Sequence, residues 1–252
     1  MQAKNNTKIS DPFSPLAIIG FVIALVSGLA EILSGFGHRW GIWNYRTGFV
    51  ILRWAAYAAI IAATASLFAA MLTRPGRGRR GFVLSLMGLL TAVVIAGVPG
   101  FFWQRAHQVP AIHDITTDMD NPPLFVMIIP LRKSAANKAE YGGPEIAAKQ
   151  RAAYPDIVPL ELSNPPHQAF EQALSAARSL GWRIIDAKEP QGRIEASDTT
   201  FWFGFTDDIV VRIAAAGRGS RIDVRSVSRV GKSDIGTNAR RIRGYLKKIQ
   251  QK

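Results

Sequence analysis

Asp207-Asp208-Ile209-Val210-Val211-Arg212-Ile213 and Arg221-Ile222-Asp223-Val224-Arg225 are two alternating stretches joined through Gly217-Arg218. Apolar residues fall at 209, 211 and 213 on the first and at 222 and 224 on the second. Side chains alternate faces along a strand, so a one-residue slip would put the two apolar sets on opposite faces. A loop of even length around Gly217-Arg218 pairs Ile213 with Ile222 and Val211 with Val224. The same register sets Arg212 opposite Asp223 and Val210 opposite Arg225. One register therefore serves both faces, and it adds a cross-strand ion pair worth under ~1 kcal/mol if exposed. The stretch predicts an antiparallel hairpin.

Reading outward, Arg193–Thr199 and Thr200–Phe205 alternate as two more strands. Trp182–Ala187 reads as another, closed by a Pro190-Gln191-Gly192 turn. Before it, Phe170, Ala173, Leu174, Ala177 and Leu180 recur at helical spacing, and Gly181 can end that helix. Downstream, Ile235, Ala239, Ile242, Leu246 and Ile249 follow at spacings of 4, 3, 4 and 3. They form one apolar stripe, with Ser233 or Asp234 available as the N-cap. The order helix, about five antiparallel strands, helix predicts an α+β domain with helices packed on one sheet face and a core at about 160–250. Residues 104–166 carry nine prolines and little pattern. They read as an extended segment laid over the domain and as its tether, with a short helix at Glu145–Ala153.

The first 103 residues are built differently. They hold nine Lys/Arg and two Asp/Glu, against 22 and 16 in residues 104–252. No charged residue falls in 12–30, 54–73 or 81–104. A bilayer core of ~30 Å takes ~20 helical residues. Three transmembrane α-helices are expected, at about 13–35, 50–73 and 81–103. The alanine-rich second span suits close helix packing in lipid. The first run is too long for the apolar part of a typical signal peptide, and no small-x-small cleavage site clearly follows it, so it reads as an uncleaved anchor. The expected division is a membrane domain, 1–103, and a soluble domain, 104–252.

Arg74, Arg77, Arg79 and Arg80 crowd the loop between the second and third spans, on the same side as Lys4 and Lys8. The other side holds Arg39, Arg46, Arg53 and Arg105. Six cations against four place the N-terminus in the cytoplasm and the soluble domain outside. A multi-pass protein of the cell inner membrane with a periplasmic C-terminal domain is expected. Glu31 and Arg53 lie near the same membrane face. They can pair as an ion or proton site, or each can snorkel to the headgroups, which is the simpler account.

Residues 112–250 carry a family likeness. Ile112-His113-Asp114-Ile115-Thr116-Thr117-Asp118 with Asn121-Pro122-Pro123 forms its first block. Gly192-Arg193-Ile194-Glu195-Ala196 with Phe203-Gly204-Phe205-Thr206-Asp207-Asp208-Ile209-Val210-Val211-Arg212 forms the second. Asp223-Val224-Arg225-Ser226-Val227-Ser228-Arg229-Val230-Gly231 through Ser233-Asp234-Ile235-Gly236-Thr237-Asn238-Ala239 forms the third. In this order the blocks resemble the family called domain of unknown function 1499. That resemblance implies a bacterial envelope or plastid setting and no established activity.

Four groupings stand out as candidate sites. His113, Asp114, Asp118 and Asp120 offer oxygen and nitrogen ligands, but without EF-hand spacing, so turn capping explains them better. Asp207 and Asp208 suggest acid/base work, yet neighbours on a strand point apart. An envelope hydrolase using His113, Asp114, Asp207 and Asp208 is the alternative reading, and it needs those groups to converge in one cleft. Arg221, Arg225 and Arg229 share a face and lead through Gly231 to Ser233 and a helix start. They can bind an anion there, or they can form a salt-bridge lattice with Asp223, Asp207, Asp208 and Asp234. Finally, the last helix holds six Lys/Arg in 240–252, without the aromatic interleaving of a nucleic-acid surface. No cofactor or metal site is assigned, and the absence of Cys excludes thiol chemistry and disulfides. The expected partners are the lipid bilayer and an anionic envelope component or partner protein, with no nucleic acid.

Overall fold

The computed structural model describes residues 11–251, so Lys4, Lys8 and Lys252 lie outside the described residues. The chain forms two compact units, Met1–Trp103 and Gln104–Lys252. In the first, α1 (Pro15–Arg39), α2 (Tyr45–Leu72) and α3 (Phe82–Gln108) are each long and apolar enough to cross a membrane. They run past the expected limits at several ends. Asn44 explains one of them, because its side chain accepts the Thr47 N–H at 3.1 Å and starts α2 early.

Large apolar residues of this unit face outward and small ones inward. Ile18, Ile19, Val22 and Leu25 are exposed on α1, while Ala17, Gly20 and Ala24 are buried. Ala24, Ala62 and Ala92 meet as one cluster, one from each helix. A Cβ at Gly20 or Gly88 would lie only 2.5 or 2.6 Å from Ser66 Oγ, so backbone approach at this crossing depends on glycine. Helices without a hydrophobic drive between them associate through such close packing. Glu31 is buried and Arg53 exposed, and no ion pair joins them among the described residues.

The second unit is a six-stranded antiparallel sheet with helices on one face. Its elements are β1 (Asp114–Thr116), α4 (Gly143–Ala153), β2 (Leu160–Leu162), α5 (Pro166–Ser179), β3 (Arg183–Lys188), β4 (Arg193–Thr199), β5 (Thr206–Ala216), β6 (Gly219–Ser228) and α6 (Thr237–Gln250). Strands β3 to β6 pair in sequence order. Two short strands, β1 and β2, lie along the outer edge of β6. The hairpin register is the expected one, with Ile213 opposite Ile222, Val211 opposite Val224 and Arg212 opposite Asp223.

One sheet face is apolar. Ile194, Ile209, Val211, Ile222 and Val224 pack with Phe170, Ala173 and Ala177 of α5 and with Ala239, Ile242 and Ile249 of α6. Trp182 stacks on Tyr245 at 4.6 Å, and the Tyr245 hydroxyl donates to Ala173 O at 2.9 Å. Ile112, Ile115, Tyr154 and Ile157 also belong to this core, so it begins before residue 160. The Gln150 side chain of α4 then caps the free edge of β1. It accepts the Thr116 N–H at 3.0 Å and donates to Thr116 O at 2.6 Å. An otherwise unpaired sheet edge is thereby closed.

Two sequence expectations need correction. Thr200–Phe205 is a turn between β4 and β5, not a strand. Gly204 sits at φ +68°, and Thr200 Oγ1 accepts the Phe205 N–H at 2.9 Å, which closes the turn. The alternation of aromatics there imitates a strand. The N-cap position of α6 is Gly236, in the left-handed region at φ +72°. Asp234 still serves the helix start from two residues upstream, accepting Gly236 N–H at 2.8 Å and Asn238 N–H at 2.7 Å.

Candidate functional site

The second sheet face is ionic. Strand alternation brings Arg193, Glu195 and Ser197 of β4, Asp208, Val210 and Arg212 of β5, and Arg221, Asp223, Arg225 and Val227 of β6 to one side. Asp114 joins them from β1, opposite Val227. The segment from Asp118 to Tyr141 carries much of what pairs with this face. Its charges meet the sheet as matched sets.

Arg225 is the centre of the first set. Its Nε and Nη2 donate to the two Asp114 carboxylate oxygens at 3.0 and 2.7 Å. Its remaining N–H groups reach Ala139 O at 2.7 Å and Pro123 O at 3.3 Å. The guanidinium also lies 5.4 Å from the Phe125 ring centroid and 5.5 Å from that of Tyr141. The planar fork suits both bidentate pairing and ring stacking. Arg225 has no exposed surface.

Asp208 is the centre of the second set, and it is fully buried. Arg132 reaches it at 2.6 Å, Arg229 through two bonds of 2.9 Å, and the Ser197 hydroxyl at 2.7 Å. Burial pushes this carboxyl up. The hydrogen bonds and charge of Arg229, with bonds from Ser197 and Arg132, outweigh burial and hold it below the usual carboxylate range. In the third set, Asp118 and Asp223 each pair with both Arg212 and Arg221, at 2.8–3.1 Å. Asp118 also accepts backbone N–H groups of Asp120 at 3.2 Å and Asn121 at 2.9 Å, the turn-capping role expected of this stretch.

Glu195 was not legible as a site residue. Its buried carboxylate accepts the backbone N–H groups of Val126 at 2.9 Å, Met127 at 3.2 Å and Ile128 at 2.8 Å. Arg193 Nε lies 2.9 Å from the same carboxylate, without the alignment of a hydrogen bond. An acidic residue on a strand whose two faces are both covered is the available signal, but the covering segment has no periodic pattern to announce it.

The sequence candidates therefore separate. Arg221, Arg225 and Arg229 do share the ionic face, each on a carboxylate. Arg221 keeps 38% and Arg229 22% of its side-chain surface exposed. Ser233 accepts the Ile235 N–H at 3.2 Å and donates to Pro110 O at 3.5 Å. The helix start beside it is already served by Asp234. Asp114 and Asp208 lie on the ionic face, flanking Val227. Asp207 lies on the opposite face, where Arg241 reaches it at 2.7 Å. The His113 carbonyl accepts the Ser228 N–H at 3.0 Å. Thus the four residues of the hydrolase reading do not all share one face. Among the described residues, no group of three or more His, Cys, Asp or Glu could hold a metal ion.

A small cavity of about 120 Å³ opens beside the ionic face, lined by Pro123, Leu124, Gln191, Arg193, Val210 and Arg212. It has room for a few waters, well below the ~300 Å³ at which small-molecule pockets begin.

The family model described as a protein of unknown function (DUF1499) matches residues 114–249. The match spans the entire sheet and nearly all of α6. No curated protein matches the chain.

Proposed function

The chain belongs to the DUF1499 family, and on that premise we propose that it is a membrane-anchored, non-enzymatic binding module of the cell envelope. Its three apolar helices hold it in the cell inner membrane as a multi-pass protein. Its α+β unit lies on the periplasmic side and binds an anionic envelope component or a partner protein. One observation carries the reading: the buried carboxylates of the sheet are each matched by arginine or backbone N–H groups. A general acid or base is expected to keep a free proton site at a cleft, whereas matched charges make a rigid platform. Anion contact falls to Arg221 and Arg229, which retain exposed surface. Arg225 and Ser233 position β1 and the approach to α6.

Two experiments test this. Alkaline phosphatase fused after the C-terminus should be active in cells. An inactive fusion, with a cytosolic reporter active at the same point, would contradict the orientation. Full chain in detergent should melt higher with inorganic phosphate, glycerol phosphate or an acidic glycan fragment. The Arg221→Ala, Arg229→Ala double variant should lose that rise. No rise with any of these probes would contradict anion binding.

A further inference from the structure

Leu124 to Leu131 turns most of its apolar side chains to solvent. Leu124 is 73% exposed, and Val126, Met127, Ile129, Pro130 and Leu131 are exposed with it. Only Phe125 and Ile128 point inward, onto Val210 and Val227 of the ionic face. Soluble proteins seldom present so continuous an apolar run without an interaction to match it. The run is also held firmly. Glu195 fixes the backbone at 126, 127 and 128, and the Arg132–Asp208 pair fixes its end. A buried carboxylate is thus spent on presenting an apolar edge.

We propose that residues 124–131 form a strap that inserts into the headgroup–acyl boundary of an anionic bilayer. Two observations select this occupant over a protein. First, residues 121–139 contain Arg132, Lys133 and Lys138 and no acidic residue. Arg132 is consumed by Asp208, whereas Lys133 and Lys138 are exposed. Lysines flanking exposed apolar side chains match anionic headgroups above acyl chains. Second, the chain leaves the third apolar helix at Gln108 and enters β1 at Asp114. Five residues, 109–113, thus connect a helix of membrane-crossing length to the sheet, and a chain anchored in a bilayer meets it at high local concentration. The proposal rests on the strap's apolar side chains and lysines and not on anion binding by Arg221 or Arg229, although Arg132 at its end shares Asp208 with Arg229.

The chain has no Cys, so single labels are clean. Full chain carrying Met127→Cys with an environment-sensitive nitrobenzoxadiazole label is reconstituted in phosphatidylcholine vesicles with and without about 30% phosphatidylglycerol, whose anionic headgroups give the surface a negative potential. Arg218→Cys, in the exposed turn between β5 and β6, serves as the reference. At Met127→Cys, lipid-borne nitroxide should quench at least about threefold more than at the reference, and aqueous iodide at least about threefold less, as expected for a side chain buried in the interface. Removing phosphatidylglycerol should weaken the lipid quenching. Strong iodide quenching with no nitroxide quenching would overturn the proposal. Protection from both quenchers would also overturn it, because the strap would then be covered by protein. Equal lipid quenching in neutral vesicles would overturn the role of the lysines.

Discussion

The two faces of the sheet solve the same problem with opposite chemistry. Under α5 and α6, interdigitating aliphatic side chains exclude water. Under the 118–141 segment, arginines and carboxylates do so around a small apolar centre of Phe125, Ile128, Val210 and Val227, with Ala139 and Ile185 packed against it. An apolar face tolerates loss of one contact at the cost of a cavity. An ionic face tolerates loss of a pair better than loss of one partner, since the survivor is left buried and uncompensated. The ionic face is therefore the less forgiving of the two, and it places the outward strap.

Variants can break this contrast in order of size. Asp208→Ala strands Arg132 together with Arg229 and should cost about 3–5 kcal/mol, read from urea-dependent proteolysis of the sheet unit in full chain. A loss below about 1 kcal/mol would show that solvent screens this cluster, and the contrast would fail. Ile222→Ala, beneath the helices, should cost about 2–4 kcal/mol by the same measurement. Glu195→Gln should cost less globally, about 1–3 kcal/mol, but should act locally. Hydrogen exchange should quicken at amides 126–128 while β5 and β6 stay protected. Uniform quickening would mean that Glu195 supports the whole sheet.

Acid should separate the faces as well. The Asp208 carboxyl is held below its ordinary value, so its contribution is present above the unfolded carboxylate pKa of ~4. That contribution drains away as pH falls through the lower folded value. Asp208→Asn should flatten the acid limb of the stability curve, and an unchanged limb would assign it to other carboxylates. The smallest effect belongs to Arg243–Asp156, an exposed pair between α6 and the loop that precedes β2. Breaking it should cost under ~1 kcal/mol, and less in high salt.

How much the sequence discloses follows the same division. The hairpin register was legible because two alternating strands and one ion pair demanded the same alignment. The stripes of α5 and α6 were legible because they face a continuous apolar surface. The strap was not. Val126, Met127 and Ile128 are ordered by Glu195, 67 to 69 residues away, and no local period records such a contact. Likewise, Asp234 was legible as a cap, but its place relative to Gly236 depends on a left-handed turn. In the membrane unit, length and charge gaps marked the helices. The Gly20–Ser66–Gly88 approach needed their packing to be seen.

Asp114 and Arg225 test most directly whether the ionic face is a lattice of matched charges. Asp114→Leu, Arg225→Met and the double variant form a cycle in full chain, read by urea-dependent proteolysis. Each single variant should lose about 3–5 kcal/mol, because it leaves a buried charge alone. The double variant should be more stable than either, with a coupling of at least about 2 kcal/mol. Single losses that simply add would contradict the lattice.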